Sequence, residues 1–374
     1  MQNKNKLKMC THCILDENIP NIQFDDNGVC NYCKYYDNLE KQYPLNEKTK
    51  TQLNQLIDDI KTKGRKKNYD CIVGVSVGVD STYTLYLAKK LGLRPLAVHF
   101  DNGWNSEIGG SNVKNLIKKC NVDLYTYTAD WEEFKNLQIA FLKASVPDVE
   151  LLTDKAIVAI LYKIAVEKSV KFVITGSNFR TEGIVPRGWT YWDNRYFKSV
   201  IKKFGKTRIK SYPIATSLYM FYCKFIKHIQ FIPLLNYVNY NKKEVIKKLE
   251  NELGWCNYGG KHYESIFTRW FQSYYLLEKF GIDKRKVHLS ALINSGQITR
   301  DKALEEIKKP TNSPEQIKED SDFVMKKLGL SINEFEKIMK SPPKSFLDYP
   351  SYYSIKNRIN SLLKIFGINL KERP

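Results

Sequence analysis

Gly74-Val75-Ser76-Val77-Gly78-Val79-Asp80-Ser81-Thr82 joins an apolar run at 69–75 to a stretch in which Thr84, Leu87, Ala88 and Leu91 recur at helical spacing. A strand feeding a helix through a glycine-containing turn exposes backbone N–H groups and the positive end of the helix dipole. Ser76, Ser81 and Thr82 add hydroxyl donors suited to a pyrophosphate. Asp80 stands where it can cap the helix or hold Mg²⁺. The Gly-Lys-[Ser/Thr] ending of a Walker A loop is missing, so no lysine reaches a γ-phosphate from this turn, which points away from γ-phosphoryl transfer. An ordinary βα turn with Ser and Asp as helix caps is the plain alternative.

The flanking sequence repeats the unit. Residues 94–100 return to a strand pattern; a helix follows near 111–120, a strand at 122–127, a helix carrying Ile157, Ile160, Leu161 and Ile164, and a strand at 171–175. This alternation predicts an α/β fold on a parallel, doubly wound sheet covered on both faces, with ligands at the carboxyl ends of the strands. Asp101 and Asn102 follow the second strand, where the switch-point crevice would take adenosine, with backbone near 98–100 as the candidate for adenine. A loop aspartate reads the same way.

Four of the eight cysteines form Cys10-x2-Cys13 and Cys30-x2-Cys33, with sixteen residues between the pairs. Two knuckles at this spacing bring four thiolates onto one tetrahedral zinc ion, and with every position filled such an ion is structural. A redox pair or an iron–sulfur cluster is the alternative, and His12 inside the first knuckle reads as a bystander. The chain divides into a zinc-binding module at 1–45, a linker helix at 46–68, a nucleotide-binding domain at 69–241 and a helical C-terminal domain at 242–374 punctuated by Gly254, Gly281, Pro310, Pro342 and Pro343. If a helix starts near Lys261, then Lys261, Ser265, Arg269 and Gln272 share one face opposite Phe267, Trp270, Phe271 and Tyr274. That polar face would offer two cations and a hydroxyl to phosphate or sugar oxygens; a solvated face has the same spacing.

With 43% hydrophobic and 13% aromatic residues in 374, the chain reads as a folded globular protein of two or three domains. The first ten residues lack the apolar core of a secretory signal, and no window reaches the roughly 18 to 20 apolar residues of a span, so a cytoplasmic protein is expected. The nearest approach, 218–235, is interrupted by Lys224, Lys227, His228 and Pro233 and fits a buried or membrane-surface segment, leaving room for peripheral membrane contact. A formal charge of +20 favours a phosphate-rich partner, although the lysines are scattered rather than clustered.

Ser76 to Ser81 resembles the Ser-Gly-Gly-x-Asp-Ser signature of PP-loop ATPases, which cleave ATP between the α and β phosphates; Val77 stands where that signature has its first glycine. Over nearly its full length the chain resembles one branch, the N-acetyl sugar amidotransferases of surface-polysaccharide and nonulosonic-acid biosynthesis. The matching residues are the cysteine pairs, Asp130-Trp131, Thr153-Asp154, Gly176-Ser177-Asn178 with Glu182, and a long run from Gly254-Trp255 through Lys261-His262-Tyr263-Glu264-Ser265, Thr268-Arg269, Asp283-Lys284-Arg285 and His288-Leu289-Ser290 to Arg300. The resemblance implies a PP-loop sheet of the adenine nucleotide alpha hydrolase type. It implies ATP and Mg²⁺ at Ser76, Gly78, Asp80, Ser81, Thr82, Asp101, Gly176 and Asn178, catalysis by Asp80, Lys261 and Arg269, and a sugar site at Asp154, Glu182, His262, Glu264, Arg285 and His288.

The implied reaction adenylates the amide oxygen of an N-acetylated sugar, free or nucleotide-linked, so that ammonia replaces it and an acetamidino group results. No cysteine sits in a Gly-x-Cys-x-Gly elbow and residue 2 is Gln2, so a separate glutaminase, akin to the histidine-biosynthesis glutaminase and cyclase pair, is the implied ammonia source. No nucleic acid partner is expected. Two other readings compete. A tRNA-modifying PP-loop enzyme, a thiolase or lysidine synthetase, suits the knuckles and the positive charge, but the isolated Cys71, Cys120, Cys223 and Cys256 carry no thiolation motif. A non-catalytic nucleotide-binding protein is prompted by Val77.

Overall fold

The computed structural model describes residues 7–76, 78–260 and 263–365, with side chains to 359; Val77, Lys261 and His262 lie outside the described residues. Five parallel strands, β1 (Cys71–Val75), β2 (Pro95–Asp101), β3 (Asp123–Thr128), β4 (Phe172–Thr175) and β5 (Gln230–Pro233), form one sheet in the order β3-β2-β1-β4-β5. Strand order reverses between β1 and β4, which opens a crevice at their carboxyl ends.

Period-two alternation sends β1 side chains into two separate cores. Cys71, Val73 and Val75 pack with the helices Glu47–Gly64, Val79–Lys90, Glu107–Cys120 and Lys242–Leu253, whereas Ile72 packs with Trp131–Ala144 and Leu151–Glu167 on the other face. Burial on both faces is why β1, β2 and β4 read as continuous apolar runs. The helix Trp131–Ala144, capped by Asp130 accepting from Glu133 N, and strand β5 are additions to the sequence reading. Pro233 has no N–H to donate and is tolerated as the last residue of an edge strand.

The apolar stretch at 218–235 divides in two. Its second part supplies β5, and its first part is an exposed helix. Near 261 the expected helix start moves to Ile266, capped by Ser265 accepting from Thr268 N at 3.3 Å. The reason is backbone pairing: after a turn at Tyr263 and Glu264, Ser106 N donates to Glu264 O at 2.9 Å and Ile266 N to Trp104 O at 3.1 Å, holding Ser265 extended in a bridge with Asn105.

The N-terminal knuckles do not stand apart. Arg300 donates to the carbonyls of Cys10 and Cys13, both at 3.1 Å, and Lys286 pairs with the buried Asp16. The Cys-rich module is thereby fastened to the helices Arg285–Asn294 and Arg300–Lys308 of the C-terminal region.

Candidate functional site

A cavity of about 550 Å³ lies at the strand-order reversal, between the turn after β1, the end of β4 and residues of the C-terminal helical region. That volume is in the range of small-molecule and cofactor sites. Ser76, Gly78, Asp80, Ser81 and Gly176 all line it.

The turn is held by its own hydroxyls. Ser76 N donates to Ser81 Oγ at 3.1 Å, Ser76 Oγ to Ser81 Oγ at 3.2 Å, and Ser81 Oγ to Gly78 O at 3.1 Å. Gly78 rather than Asp80 is the helix N-cap, which leaves the Asp80 carboxylate in the cavity wall, where it accepts from Tyr240 OH. Gly176 is required by close approach, because a Cβ there would come within 2.8 Å of Ser81 N and 2.9 Å of Asp80 C. Asn178 caps its short helix through Oδ1, which accepts from Thr181 N at 2.9 Å, while its buried Nδ2 finds no hydrogen-bond partner among the described residues. Asn178 itself does not line the cavity, whereas Ser76 and Ser81, whose hydroxyls pair within the turn, do and can turn to an anionic ligand.

Other residues singled out in the sequence separate sharply. Asp154, Glu182, Glu264 and His288 line the same cavity, and Glu264 Oε1 would lie 3.2 Å from a Cβ on Gly78. Thr82 turns into the core, buried and away from the lining. Asp101 closes a loop by accepting from Gly103 N at 2.9 Å, and its neighbour Asn102 takes the place in the wall. Arg269 is spent on Asp320 in a two-pronged ion pair of 2.7 and 2.6 Å, and Arg285 on Asp283 with the carbonyl of Lys309 at 2.8 Å; neither lines the cavity.

Among the described residues, the cations that line the cavity are Lys242 and Lys284. Lys284 Nζ reaches Glu150 Oε2 at 2.7 Å, and Gln272 Nε2 donates to the same carboxylate at 3.0 and 3.1 Å. Helical periodicity held the signal for this, since Lys284 and His288 are four residues apart and so share a helix face that Arg285 does not. His99 was also missed. Its Nδ1 lies 2.8 Å from Val75 O, an obligate acceptor, so that nitrogen carries the proton, and Asn105 Nδ2 at 3.2 Å donates to Nε2.

The four knuckle cysteines converge as a separate centre. Their Sγ atoms all lie within 4.8 Å of one another, with Cys13–Cys30 at 3.7 Å and Cys30–Cys33 at 3.6 Å. The edge of a zinc–thiolate tetrahedron with bonds of about 2.3 Å is roughly 3.8 Å. Backbone N–H groups of Cys13 and Cys30 point at Cys10 Sγ, at 3.5 and 3.2 Å, which stabilises thiolate charge. All four residues are buried, as befits a structural metal.

A parallel β3-β2-β1-β4-β5 sheet with a glycine- and hydroxyl-bearing turn at its switch point defines a doubly wound α/β protein with its crevice at the carboxyl ends of the strands. Residues 264–362 match the family model described as "LPS biosynthesis protein WbpG-like, C-terminal domain". The match begins at Glu264, which lines the cavity. No curated protein matches the chain significantly. Among solved structures, the chain is similar to an NMN synthetase from Francisella tularensis (15% identity, 76% of this chain and 97% of that one, TM-score 0.33). It is also similar to an NH3-dependent NAD synthetase from Campylobacter jejuni (16%, 78% and 97%, TM-score 0.31). A third is a predicted subunit of tRNA methyltransferase from Methanocaldococcus jannaschii (15%, 48% and 74%, TM-score 0.28). At these TM-scores the three neighbours carry no argument about activity.

Proposed function

We propose that the protein is an ATP-dependent, AMP-forming amidotransferase that converts the acetamido group of an N-acetylated sugar to an acetamidino group. The observation that carries this reading is the single cavity in which the Ser76–Ser81 turn meets Glu264, the first residue of the WbpG-like domain. A pyrophosphate-suited turn and a surface-polysaccharide domain thereby share one site.

An amide oxygen is a poor leaving group and must be activated before nitrogen can replace it. The amide oxygen attacks the α-phosphorus of ATP, the bond to the β-phosphate oxygen breaks, pyrophosphate leaves and the amide nitrogen loses its proton, giving an O-adenylated imidate. Ammonia adds to the imidate carbon, the carbon–oxygen bond breaks, and AMP departs with the former amide oxygen. Mg²⁺, when bound, would offset phosphate charge. In the chain itself, Ser76, Ser81 and the turn's N–H groups re-pair from each other to phosphate oxygens, and Asp80 is the carboxylate placed to hold the metal. Lys242 and Lys284 offer positive charge to the phosphates, and Asp154, Glu182, Glu264 and His288 are the groups that would meet sugar hydroxyls.

Ammonia would come from a separate glutaminase. Incubating the protein with ATP and a panel of free and nucleotide-linked N-acetylated sugars, with ammonium or with glutamine, tests the scheme. AMP, pyrophosphate and a product in which oxygen has become NH are expected with ammonium and not with glutamine alone. Absence of pyrophosphate release with every acetamido sugar of the panel would refute the reading.

A further inference from the structure

The proposed chemistry makes no use of residues 214–228, which lead into β5. There the helix Ser217–Phe221 continues as a π-helical turn, Tyr222–Ile226. Leu218, Phe221, Tyr222 and Phe225 recur at i, i+3, i+4 and i+7, the spacing of one apolar helix face. On an ordinary surface helix that face turns inward. Here it turns outward, with Leu218 82%, Phe221 56%, Phe225 51% and Ile226 59% exposed. The opposite side is pinned by the buried Cys223, whose carbonyl accepts from Ile229 N at 2.9 Å, so the outward orientation is built into the fold.

Charge surrounds these side chains with one sign. Between Asp193 and Glu244 the sequence has no carboxylate side chain and eleven lysines and arginines, more than half of the +20 formal charge of the chain. Lys198, Lys202, Lys203, Lys206, Arg208 and Lys210 are exposed, as are Lys224 and Lys227 in the helical segment. Lys224 Nζ lies 5.2 Å from the centre of the Phe225 ring and Lys227 Nζ 5.4 Å from that of Tyr222, so each ammonium borders an apolar ring. Exposed aromatic and aliphatic groups ringed by cations are complementary to an anionic bilayer surface, into which such a helix lies flat. Among the described residues no helix is long and apolar enough to cross a membrane.

We propose that residues 214–228 dock the protein onto anionic phospholipid, Leu218, Phe221, Phe225 and Ile226 entering the headgroup–acyl boundary while Lys224 and Lys227 pair with lipid phosphates. The segment meets the sheet at the amino ends of β4 and β5, where Gln230 N donates to Lys171 O at 2.8 Å. The cavity opens at the carboxyl ends, by Val75 and Thr175. A docked protein would therefore hold its site open to solution, on the side away from the lipid.

Co-sedimentation of the full chain with phosphatidylcholine vesicles and with phosphatidylcholine–phosphatidylglycerol vesicles tests this. Binding is expected only to the anionic vesicles and falls as salt is raised. Changing Lys224→Gln with Lys227→Gln should weaken it by about thirtyfold. Changing Phe221→Ser with Phe225→Ser should remove it while circular dichroism and pyrophosphate release stay as in the original. A chain that stays in the supernatant with both vesicles overturns the proposal, as do variants that bind equally well. So does an original chain that dimerises through this face in a way the Phe variants abolish, because a second copy would then be its occupant.

Discussion

Tyr240 donates its phenolic hydroxyl to Asp80 Oδ1, linking the first turn of the helix after β1 to a residue that lies beyond β5. The phenol is buried, and burial together with the Asp80 charge pushes its pKa far above the usual tyrosine range, so it remains a donor. Asp80→Asn keeps an oxygen for this bond but loses the charge that would hold Mg²⁺. The variant is expected to fold normally and to lose AMP formation. Tyr240→Phe leaves the ring in place and frees the carboxylate, and a fall in turnover of about tenfold is expected, a barrier change of about 1.4 kcal/mol. Pyrophosphate release and thermal unfolding of both variants are the measurements, and full turnover by Asp80→Asn would remove Asp80 from the proposed role.

Gly176→Ala tests the contact between the end of β4 and the turn. The added methyl would meet Ser81 N at 2.8 Å, and because the atoms it meets are backbone, the turn itself must shift. A destabilisation of about 1–3 kcal/mol is expected from overpacking, with a larger relative loss of nucleotide affinity than of urea midpoint. Unchanged ATP binding would show that the turn's present position is not the binding one.

Metal analysis should find one zinc per chain. Cys30→Ser should release it and lower the thermal midpoint of the whole molecule, since Arg300, Lys286 and Ser290 tie the knuckles to the C-terminal helices. Zinc-free protein with an unchanged midpoint would contradict a structural role.

Asp148 makes stability depend on pH in an unusual direction. Burial pushes its carboxyl up to about 7, against the partial compensation of hydrogen bonds from Tyr196 OH at 3.0 Å and Tyr191 N at 3.1 Å. The folded state therefore holds this proton more tightly than the unfolded chain. Its contribution to stability is fully present below the unfolded pKa of about 4 and is lost as pH rises towards 7, by up to roughly 4 kcal/mol. Asp148→Asn should flatten that part of the profile, as read from urea midpoints between pH 5 and pH 8. An unaltered slope would place the titration elsewhere.

The sequence alone determined the alternation of strands and helices from 69 to 175, the position of the Ser76–Ser81 turn and the convergence of four cysteines. Each is local: apolar runs with helical or strand period, a glycine turn between them, and two knuckles whose spacing suits one ion. What it left open depended on partners distant in the chain. Arg269 and Lys284 are equally plausible cations in one dimension, but Asp320 takes the first into an ion pair and Glu150 holds the second in the cavity wall. The start of the helix at Ile266 was decided by pairing with Trp104 and Ser106, some 160 residues earlier. The outward face of the helix Ser217–Phe221 followed from Cys223 and Ile229 anchoring its other side. Periodicity specifies that a face exists, whereas packing against the rest of the fold specifies where it points, because desolvation and ion pairing act between residues brought together only by the tertiary structure.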